Sequence, residues 1–410
     1  MGRFTIDCSC GERYHVDDSQ VGRQLVCRRC GNRLEIRGAT DAPISPPKSP
    51  RKARIRRKSR HSKASNETSS IGTVIVPRSR SAKVLAFLAW GYFVGAVIVA
   101  ALLWGLGDRT AIGTVLLFMG RWIFLLPVFV LVPLAAWLHP RLLLPLAAGA
   151  VVVLGPVMGF RTGWRRLLPA PAGEHVRVVS FNAGGGRLAA QLLPTILDRW
   201  QAQLVAFQEC GDELAAAARR LQGWHVHSSR DLCFLSRYPI RSAAVMDRSA
   251  LDRIKQSEAD EPGGAGYVVR FLLDGPRGPI RAANLHLETP RKGLEGLMSG
   301  DRRRLKNNTD IRGIESKFAR AWVADGSGPL VVLGDFNTPV ESVFFRESWG
   351  DLSDAFSVAG TGLGMTKHNG WIRVRIDHVL TSDEWHVDRA RVADESYSDH
   401  RPLVVDLTLR

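Results

Sequence analysis

Residues 330–337 read LVVLGDFN, a short apolar run that ends in glycine and two polar residues separated by a phenylalanine. A run of leucine and valine this short, closed by Gly-Asp, is typical of a buried strand that enters a loop. Loops held by a rigid sheet often carry a protein's chemistry. Asp335 and Asn337 are therefore candidate functional residues, and we searched outward along the chain for the same pattern.

The pattern recurs throughout residues 174–410, which we predict to form one domain. Its short apolar runs are Val176–Phe181, Leu204–Phe207, Leu232–Leu235, Tyr267–Leu273, Ile280–Leu287, Leu330–Leu333, Ile376–Leu380 and Leu403–Leu409. Helical patterns lie between some of them, at Leu188–Trp200, Asp212–Gln222 and Asp301–Asp325. Strands with intervening helices predict an α/β layered architecture.

Polar residues stand at the ends of these predicted strands. They are Ser180-Phe181-Asn182, Gln208-Glu209, Leu235-Ser236-Arg237-Tyr238-Pro239, Asn284-Leu285-His286-Leu287, Gly334-Asp335-Phe336-Asn337, Arg375-Ile376-Asp377-His378 and Ser398-Asp399-His400. An isolated Asp or His at such a place is more often a cap or a surface turn, but the whole series indicates a shared site. Acids and amides dominate it, and they suit a hard divalent cation such as Mg²⁺. Cys210 and Cys233 are interpreted as solitary residues, with Cys210 as buried packing.

With these motifs the domain resembles the endonuclease/exonuclease/phosphatase superfamily over Val176–Leu409. The resemblance rests on Gln-Glu, Gly-Asp-Phe-Asn and Ser-Asp-His in this order and spacing. It implies a four-layered α/β sandwich, two packed sheets flanked by helices, and hydrolysis of phosphate esters with Mg²⁺ or Mn²⁺. One departure is His378, where tyrosine or an apolar residue is commoner, and we expect it to pack beside its strand.

The resemblance also implies roles for individual residues. Glu209 would be the principal metal carboxylate, with Asn182 and Asp399 completing the metal environment partly through water. The residues expected to contact substrate are Asn337, His286, Asn284 and Arg375.

Five residues carry the implied catalysis. Asp335 would orient or deprotonate the attacking water, and Asn337 would hold that water or a phosphate oxygen. His400 would donate to the phosphate while Asp377 fixes its tautomer, and His286 would protonate or bind the leaving group. In-line displacement at phosphorus independently needs a metal and a cation near the oxygens and a carboxylate near the water.

Charge separates the chain into parts with different partners. The net charge of +17 lies entirely in residues 1–173, whereas residues 174–410 hold 31 basic and 31 acidic residues. A uniformly basic nucleic-acid binder is excluded, because such a protein needs positive potential over its binding face. One local cluster, Arg302-Arg303-Arg304-Lys306, stands in the neutral part. Nucleases and lipid phosphatases share the fold, so the fold does not select the substrate.

Three apolar stretches predict membrane helices at 84–106, 111–138 and 142–160. The first reads VLAFLAWGYFVGAVIVAALLWGL, 23 residues without a charge, which is long enough to cross a bilayer. The second contains Arg121, which could extend toward the lipid headgroups. The alternative interpretation is that these are core helices of a soluble protein.

The first 83 residues contain two predicted segments. Cys8, Cys10, Cys27 and Cys30, each pair followed by a glycine, predict a zinc-ribbon-like segment at 1–38 that holds Zn²⁺, although the first pair has only one intervening residue. A metal-free cluster or a disulfide is the alternative. Residues 39–83 are rich in Pro, Ser and Lys/Arg and predict a disordered linker that contacts anionic lipid rather than nucleic acid.

Together these features predict a membrane-anchored metal-dependent phosphoesterase that acts on a lipid-linked phosphate. Three helices followed by this domain resemble bacterial membrane phosphatases linked to glycopeptide resistance, which are thought to act on polyprenyl pyrophosphates. A membrane-tethered nuclease and a non-catalytic binding module are the alternatives. With a cytoplasmic N-terminus, three spans would place the domain outside the cytoplasmic membrane. Arg161, Arg165 and Arg166 would then lie on the side that the positive-inside rule disfavours. If one stretch fails to span, the domain is cytoplasmic.

Overall fold

A computed structural model describes residues 3–9, 11–36, 80–167, 169, 171–251, 267–370, 372–395 and 397–410. It divides into two compact units, Met1–Ser81 and Ala82–Arg410. The predicted linker at 39–83 lies outside the described residues except for its last four, and Cys10 also lies outside them.

Over its described residues 3–9 and 11–36, the first unit contains two small hairpins and one turn of 3₁₀ helix. The hairpins pair Arg3–Asp7 with Arg13–Asp17 and Gln24–Val26 with Arg33–Glu35, and the 3₁₀ turn is Asp18–Gln20. Gly11 and Gly31 follow cysteine-bearing turns with φ of 85° and 77°, which glycine adopts without a Cβ clash. Their N–H groups donate to the carbonyls of Cys8 and Cys27, which closes the turns.

The second unit begins with three helices long and apolar enough to span a membrane: Ser81–Gly105, Arg121–Leu138 and Pro140–Val157. We call them the candidate spans. The segment predicted as one helix at 111–138 is interrupted at residues 119–120, so that Ala111–Phe118 forms a separate short helix. Only 17%, 17% and 28% of the most apolar windows are buried. This exposure contradicts the alternative of soluble core helices.

Residues 174–409 form two six-stranded mixed sheets with helices outside them. The first sheet contains, in spatial order, Trp385–Val392, Leu403–Leu409, Glu174–Asn182, Leu204–Gln208, Leu232–Ser236 and His225–Ser229. The second contains Ile240–Val245, Tyr267–Gly275, Gly278–His286, Leu330–Asp335, Asp377–Thr381 and Ser353–Asp354. The helices are Arg187–Trp200, Gly211–Arg219, Arg291–Met298, Arg302–Ala324, Val343–Trp349 and Ala355–Ala359.

The layers follow from which residues each strand buries. One apolar cluster, which includes Val178, Leu204, Phe271 and Leu333, lies between the sheets. A second packs the first sheet on helices 187–200 and 211–219, and a third packs the second sheet on helix 302–324. The predicted four-layered α/β sandwich is confirmed.

Buried charges connect the candidate spans to the sandwich. Asp108, after the first span, accepts hydrogen bonds from Ser342 Oγ at 2.5 Å and from Val343 N at 3.1 Å. Arg121 Nη1 lies 3.2 Å from Glu341 Oε2 and donates to the carbonyl of Val157 at 2.7 Å. Arg121 is thus paired inside the protein, whereas the sequence suggested that it could extend toward headgroups.

The structure corrects our interpretation of two cysteines as solitary. Cys210 and Cys233 form a disulfide with a Cα–Cα distance of 5.8 Å. Strands 204–208 and 232–236 are antiparallel neighbours, so residues 23 positions apart in sequence come together. Sequence separation alone does not reveal that neighbourhood.

We expect Glu341→Ala to destabilise the protein strongly, because it leaves Arg121 buried without its carboxylate. Breaking a buried pair costs about 3–5 kcal/mol, or a fall of roughly 6 °C or more in the thermal midpoint. Glu347→Ala is the matched control, since Glu347 pairs with Arg109 at the surface, where a pair contributes about 0–1 kcal/mol. Thermal unfolding of the detergent-purified full chain measures both, and equal falls would contradict the anchoring role.

Candidate active site

The polar strand ends converge at one end of the sandwich. Strand register places Asn182 opposite Gln208 in the first sheet, and places His286 and Asp377 on either side of Asp335 in the second. His400 comes from the loop that precedes strand 403–409. Asn182 and His400 are 218 residues apart in sequence, and the two packed sheets bring them together with the groups between them.

Asp335 is the centre of the cluster. Its Oδ1 accepts from Asn337 N at 2.8 Å, and its Oδ2 accepts from Asn182 Nδ2 at 3.0 Å. The Nε2 atoms of His286 and His400 each lie 3.7 Å from Oδ2. Burial and the charge of Asp377 raise the pKa of Asp335, and the two histidines partly oppose this shift. A carboxylate with a raised pKa is a better proton acceptor near neutral pH.

His400 and Asp377 form a buried pair. His400 Nδ1 lies 2.9 Å from Asp377 Oδ2, and Asp377 N donates to Thr366 Oγ1 at 3.1 Å. Burial alone would lower the pKa of His400, but Asp377 and Asp335 outweigh it and raise that pKa to about 9. The pKa of Asp377 is lowered because His400 and hydrogen bonds outweigh its burial. Nδ1 is held by Asp377, so Nε2 is the atom directed at Asp335 and the cavity.

Glu209 and Asn182 occupy the neighbouring strand ends. Asn182 Nδ2 donates to Glu209 Oε1 at 3.0 Å as well as to Asp335, and its Oδ1 accepts from Gly184 N at 3.0 Å. Asn182 therefore bridges two carboxylates through its amide nitrogen in this structure. The Glu209 side chain is 44% exposed and lines the cavity, whereas Asn182 is buried beneath it.

Two site residues have left-handed backbones. Glu209 has φ 46° and Asn337 has φ 50°, a region that is costly for most side chains. Asn337 Nδ2 donates to the carbonyl of Leu287 at 2.8 Å, which fixes the loop after strand 330–335. This backbone turns both side chains out of their strands and into the cavity.

The cavity in front of these groups has a volume of about 870 Å³. Glu209, His286, Asp335, Asn337 and His400 line its polar side, together with Asp399, which is half-exposed and pairs with Lys367. Much of the remaining lining is apolar, although Arg291, Lys292 and Glu295 also contribute to it. The apolar residues include Phe118, Leu294, Met298, Ile372, Val374 and Ile376.

Two predicted substrate contacts do not reach the cavity. Asn284 is fully buried, accepts from Gln208 Nε2 at 2.7 Å and donates to the carbonyls of Phe207 and Cys233, so it joins the two sheets. Arg375 is buried and donates to Asp354 at 2.8 Å. His378 Nδ1 lies 3.0 Å from the same carboxylate. His378 and Arg375 thus stabilise the sheet, and neither lines the cavity.

Three residues that frame the site carry no sequence signal. Lys367 stands on a short hairpin, Lys367–Asn369 with Ile372–Val374, that our strand prediction missed. Phe118 enters the cavity from the helix after the first candidate span. Arg312 donates to Asn337 O at 3.2 Å and to Thr338 Oγ1 at 2.9 Å, and so supports the loop that carries Asn337. Only the tertiary fold identifies them.

The donors at this site fit a hard metal ion. Glu209 offers a cavity-facing carboxylate, and Asp335, Asp377 and His400 place ligand atoms within 4.8 Å of one another. Carboxylate oxygens are what Mg²⁺ and Mn²⁺ prefer. A second candidate centre lies in the first unit, where the Sγ atoms of Cys8, Cys27 and Cys30 also lie within 4.8 Å of one another.

One family sequence model and several solved structures are similar to this domain. The sequence model of the endonuclease/exonuclease/phosphatase family matches residues 179–400, and no curated protein matches the chain. A solved family member from Bacteroides thetaiotaomicron is 15% identical, covering 59% of this chain and 97% of its own, with a TM-score of 0.43. D. rerio TDP2, in complex with a single-strand DNA product, is 12% identical, with 57% and 99% covered and a TM-score of 0.44. The 3′ phosphatase NExo from Neisseria, bound to a product DNA hairpin, is 21% identical, with 56% and 98% covered and a TM-score of 0.43.

Proposed function

Because the chain belongs to the endonuclease/exonuclease/phosphatase family, we propose that it is a membrane-anchored, metal-dependent phosphoesterase whose substrate is a lipid-linked phosphate. One observation favours a lipid-linked substrate. The apolar wall of the catalytic cavity belongs to the same cluster as the ends of the candidate spans. That cluster contains Leu103, Leu117, Phe118, Val157, Val374 and Ile376, with Leu294 packed against it.

This continuity suits a substrate that is half polar and half apolar. A phosphate group fits the polar side, among Glu209, Asn337 and His400, while a hydrocarbon chain fits the side formed by Phe118 and Ile372. Met298 and Ile372 leave apolar surface exposed at the rim, 89% and 43%. Beside a bilayer, exposed apolar surface at the mouth of the cavity is placed to contact lipid.

The candidate spans support the membrane attachment. Large apolar side chains on them face outward, with Phe87, Phe129, Trp137 and Leu144 each more than 70% exposed. An exposed apolar band of this kind is stable in lipid and unfavourable in water. Trp104 Nε1 donates to the carbonyl of Pro156 at 2.9 Å, so the end of the first span meets the end of the third, next to the catalytic cavity.

The mechanism follows from the positions of the side chains. Glu209 would hold the divalent metal, which when bound would polarise the phosphate and neutralise its developing charge. Asp335 is placed to take the proton of the attacking water as its oxygen bonds to phosphorus. Protonated His400, held by Asp377, donates from Nε2 to a phosphate oxygen. His286 lies 3.8 Å from Glu209 and 3.7 Å from Asp335, and is placed to give a proton to the departing oxygen as its bond to phosphorus breaks.

We place the catalytic domain on the extracytoplasmic side. Disulfides persist in oxidising compartments, and Cys210–Cys233 lies in this domain. The thiol cluster of Cys8, Cys27 and Cys30 suits a reducing compartment, and an odd number of spans separates the two. The neutral charge of residues 174–410 agrees with a lipid substrate, because DNA binding depends on released counterions.

Glu209→Gln should lower hydrolysis by at least about tenfold, because one anionic metal ligand is lost while the shape is kept. High Mg²⁺ should restore part of the rate, since weaker binding is offset by concentration. Phosphate release by the full chain across a Mg²⁺ titration measures this. Glu213→Gln, on the surface of the next helix, is the control. Unchanged activity of Glu209→Gln at ordinary Mg²⁺ would remove Glu209 from the site.

The full chain in lipid should cleave polyprenyl pyrophosphate much faster than plasmid DNA at equal Mg²⁺ and physiological salt. Ile372→Glu should slow the lipid reaction and spare a small soluble phosphate ester, because the substitution charges only the apolar rim. Leu188→Glu is matched, being 44% exposed on helix 187–200, no residue of which lines the cavity. Efficient plasmid nicking with the lipid untouched would make the protein a tethered nuclease.

A reporter fused after Arg410 should be active only when it requires export. Alkaline phosphatase and a fluorescent protein that folds in the cytoplasm are suitable reciprocal reporters. Activity of the cytoplasmic reporter alone would contradict the extracytoplasmic placement.

We further propose that the cysteine cluster binds one zinc ion, with Cys10 as its fourth ligand. Cys8 Sγ and Cys30 Sγ lie 3.6 Å apart, close to the roughly 3.8 Å between thiolates that share a tetrahedral zinc. Metal analysis of the chain purified under reducing conditions should find one zinc per chain, which Cys27→Ser removes while hydrolysis continues. Absence of zinc from the unaltered chain would refute the ribbon.

A further inference from the structure

A second large cavity lies outside the catalytic site. Its volume is about 850 Å³, and neither the proposed reaction nor any motif in the sequence involves it. Five arginines line it: Arg121, Arg373, Arg389, Arg391 and Arg401. We call it the arginine-lined cavity. None of its lining residues is acidic, so its ligand is expected to be an anion.

Most of this positive charge is not neutralised by the protein. Arg121 pairs with Glu341, and Arg401 lies 3.5 Å from Asp394, whose side chain is fully exposed. Within the described part of the chain, Arg373, Arg389 and Arg391 have no carboxylate within 4.0 Å. Arg389 and Arg391 stand on the edge strand 385–392. Guanidinium groups gathered at a cavity without acids bind phosphate well, because each offers a planar pair of donors.

Most of the remaining lining is apolar, with Thr361 and His368 as its other polar side chains. Trp122, Met158, Phe356, Leu363 and Val392 face the same space as the arginines. A free phosphate would gain nothing from this surface. An anion that carries a hydrocarbon chain would bury it.

The position of the cavity favours a membrane lipid as its ligand. Arg121 and Trp122 open the second candidate span, and Met158 directly follows the third. The cavity therefore lies where two spans meet the sandwich, at the depth of lipid headgroups if the helices cross a bilayer. Tryptophan at a span end is typical of that interface.

We propose that the arginine-lined cavity binds the phosphate headgroup of an anionic phospholipid that is not the substrate. Arg373, Arg389 and Arg391 hold the phosphate, and the apolar lining holds the first part of an acyl chain. The site is separate from the catalytic cavity. Lys367 and His368 are adjacent on one strand, and Lys367 lines the catalytic cavity while His368 lines the arginine-lined one.

Lipid binding by the full chain tests this proposal without any activity measurement. Native mass spectrometry in detergent, with phosphatidylglycerol or phosphatidylcholine titrated in, should show one phosphatidylglycerol bound per chain, preferred by about tenfold or more. The variant Arg373→Gln/Arg389→Gln/Arg391→Gln should lose this preference. Arg219→Gln/Arg220→Gln, which removes two exposed arginines that line neither cavity, should keep it. Equal binding of both lipids by the unaltered chain, or an unchanged preference in the triple variant, would overturn the proposal.

Further measurements distinguish a lipid ligand from a soluble phosphate, and a loss of lipid binding from a loss of catalysis or of folding. Glycerol 3-phosphate at millimolar concentration should not displace the lipid, and full displacement would overturn the lipid assignment in favour of a soluble phosphate. Glu209→Gln should bind phosphatidylglycerol as the unaltered chain does, so the result stands or falls independently of the catalytic proposal. An unchanged thermal midpoint in the triple variant shows that lost binding is not lost folding.

Discussion

The loop that follows strand 330–335 connects the candidate active site to the candidate spans, and the rest of the structure depends on it. Asp335 and Asn337 lie at its start, and Glu341 and Ser342 lie at its end. Glu341 pairs with Arg121, which begins the second candidate span, and Ser342 donates to Asp108, which follows the first. Glu341 is fully buried, and Arg121 and Arg375 hold its pKa below the usual value although burial alone would raise it. Charges buried this deeply are tolerated only when each keeps its partner. The catalytic loop and the candidate spans are therefore one structural unit.

In this arrangement, the candidate spans and the short helix between them also contribute to the surroundings of the active site. Phe118 forms part of the catalytic cavity, and Arg312 contacts the backbone of the Asn337 loop while lying 4.0 Å from Asp108. A helix that served only as an anchor would need no buried polar contact with the enzyme. The apolar side of the cavity exists because helix 111–118 and hairpin 367–374 pack together there. The apolar side of the cavity is thus formed by residues that the family motifs do not include.

The sequence predicted the parts of the fold that local patterns encode. Apolar runs gave eight of the twelve strands of the two sheets but missed 225–229, 240–245, 353–354 and 385–392. Polar residues at the predicted strand ends gave Glu209, Asp335, Asn337 and His400, all of which line one cavity. Asn284 and Arg375 do not line that cavity, because Asn284 bonds to the adjoining sheet and Arg375 pairs with Asp354, and a local pattern does not distinguish such residues from cavity-facing ones. The disulfide and the arginine-lined cavity were missed for a common reason. Both depend on which strands and helices are neighbours, and no local signal carries that information.

The buried ion pairs have a practical consequence for anyone who wishes to produce the sandwich as a water-soluble protein. Cutting the chain after the third candidate span would remove the partners of Glu341, Ser342 and Arg312 together, and would uncover Val374 and Ile376. The excised domain would then carry a buried carboxylate, Glu341, without its Arg121 partner, an Arg312 that has lost Asp108, and an exposed apolar surface beside its catalytic loop. A usable soluble version therefore requires redesign of that surface, with Glu341 replaced by a neutral polar residue and the two apolar residues made hydrophilic, while Arg312 is kept for its contacts with the Asn337 loop. Expression tags and solubilising fusions do not supply these missing partners.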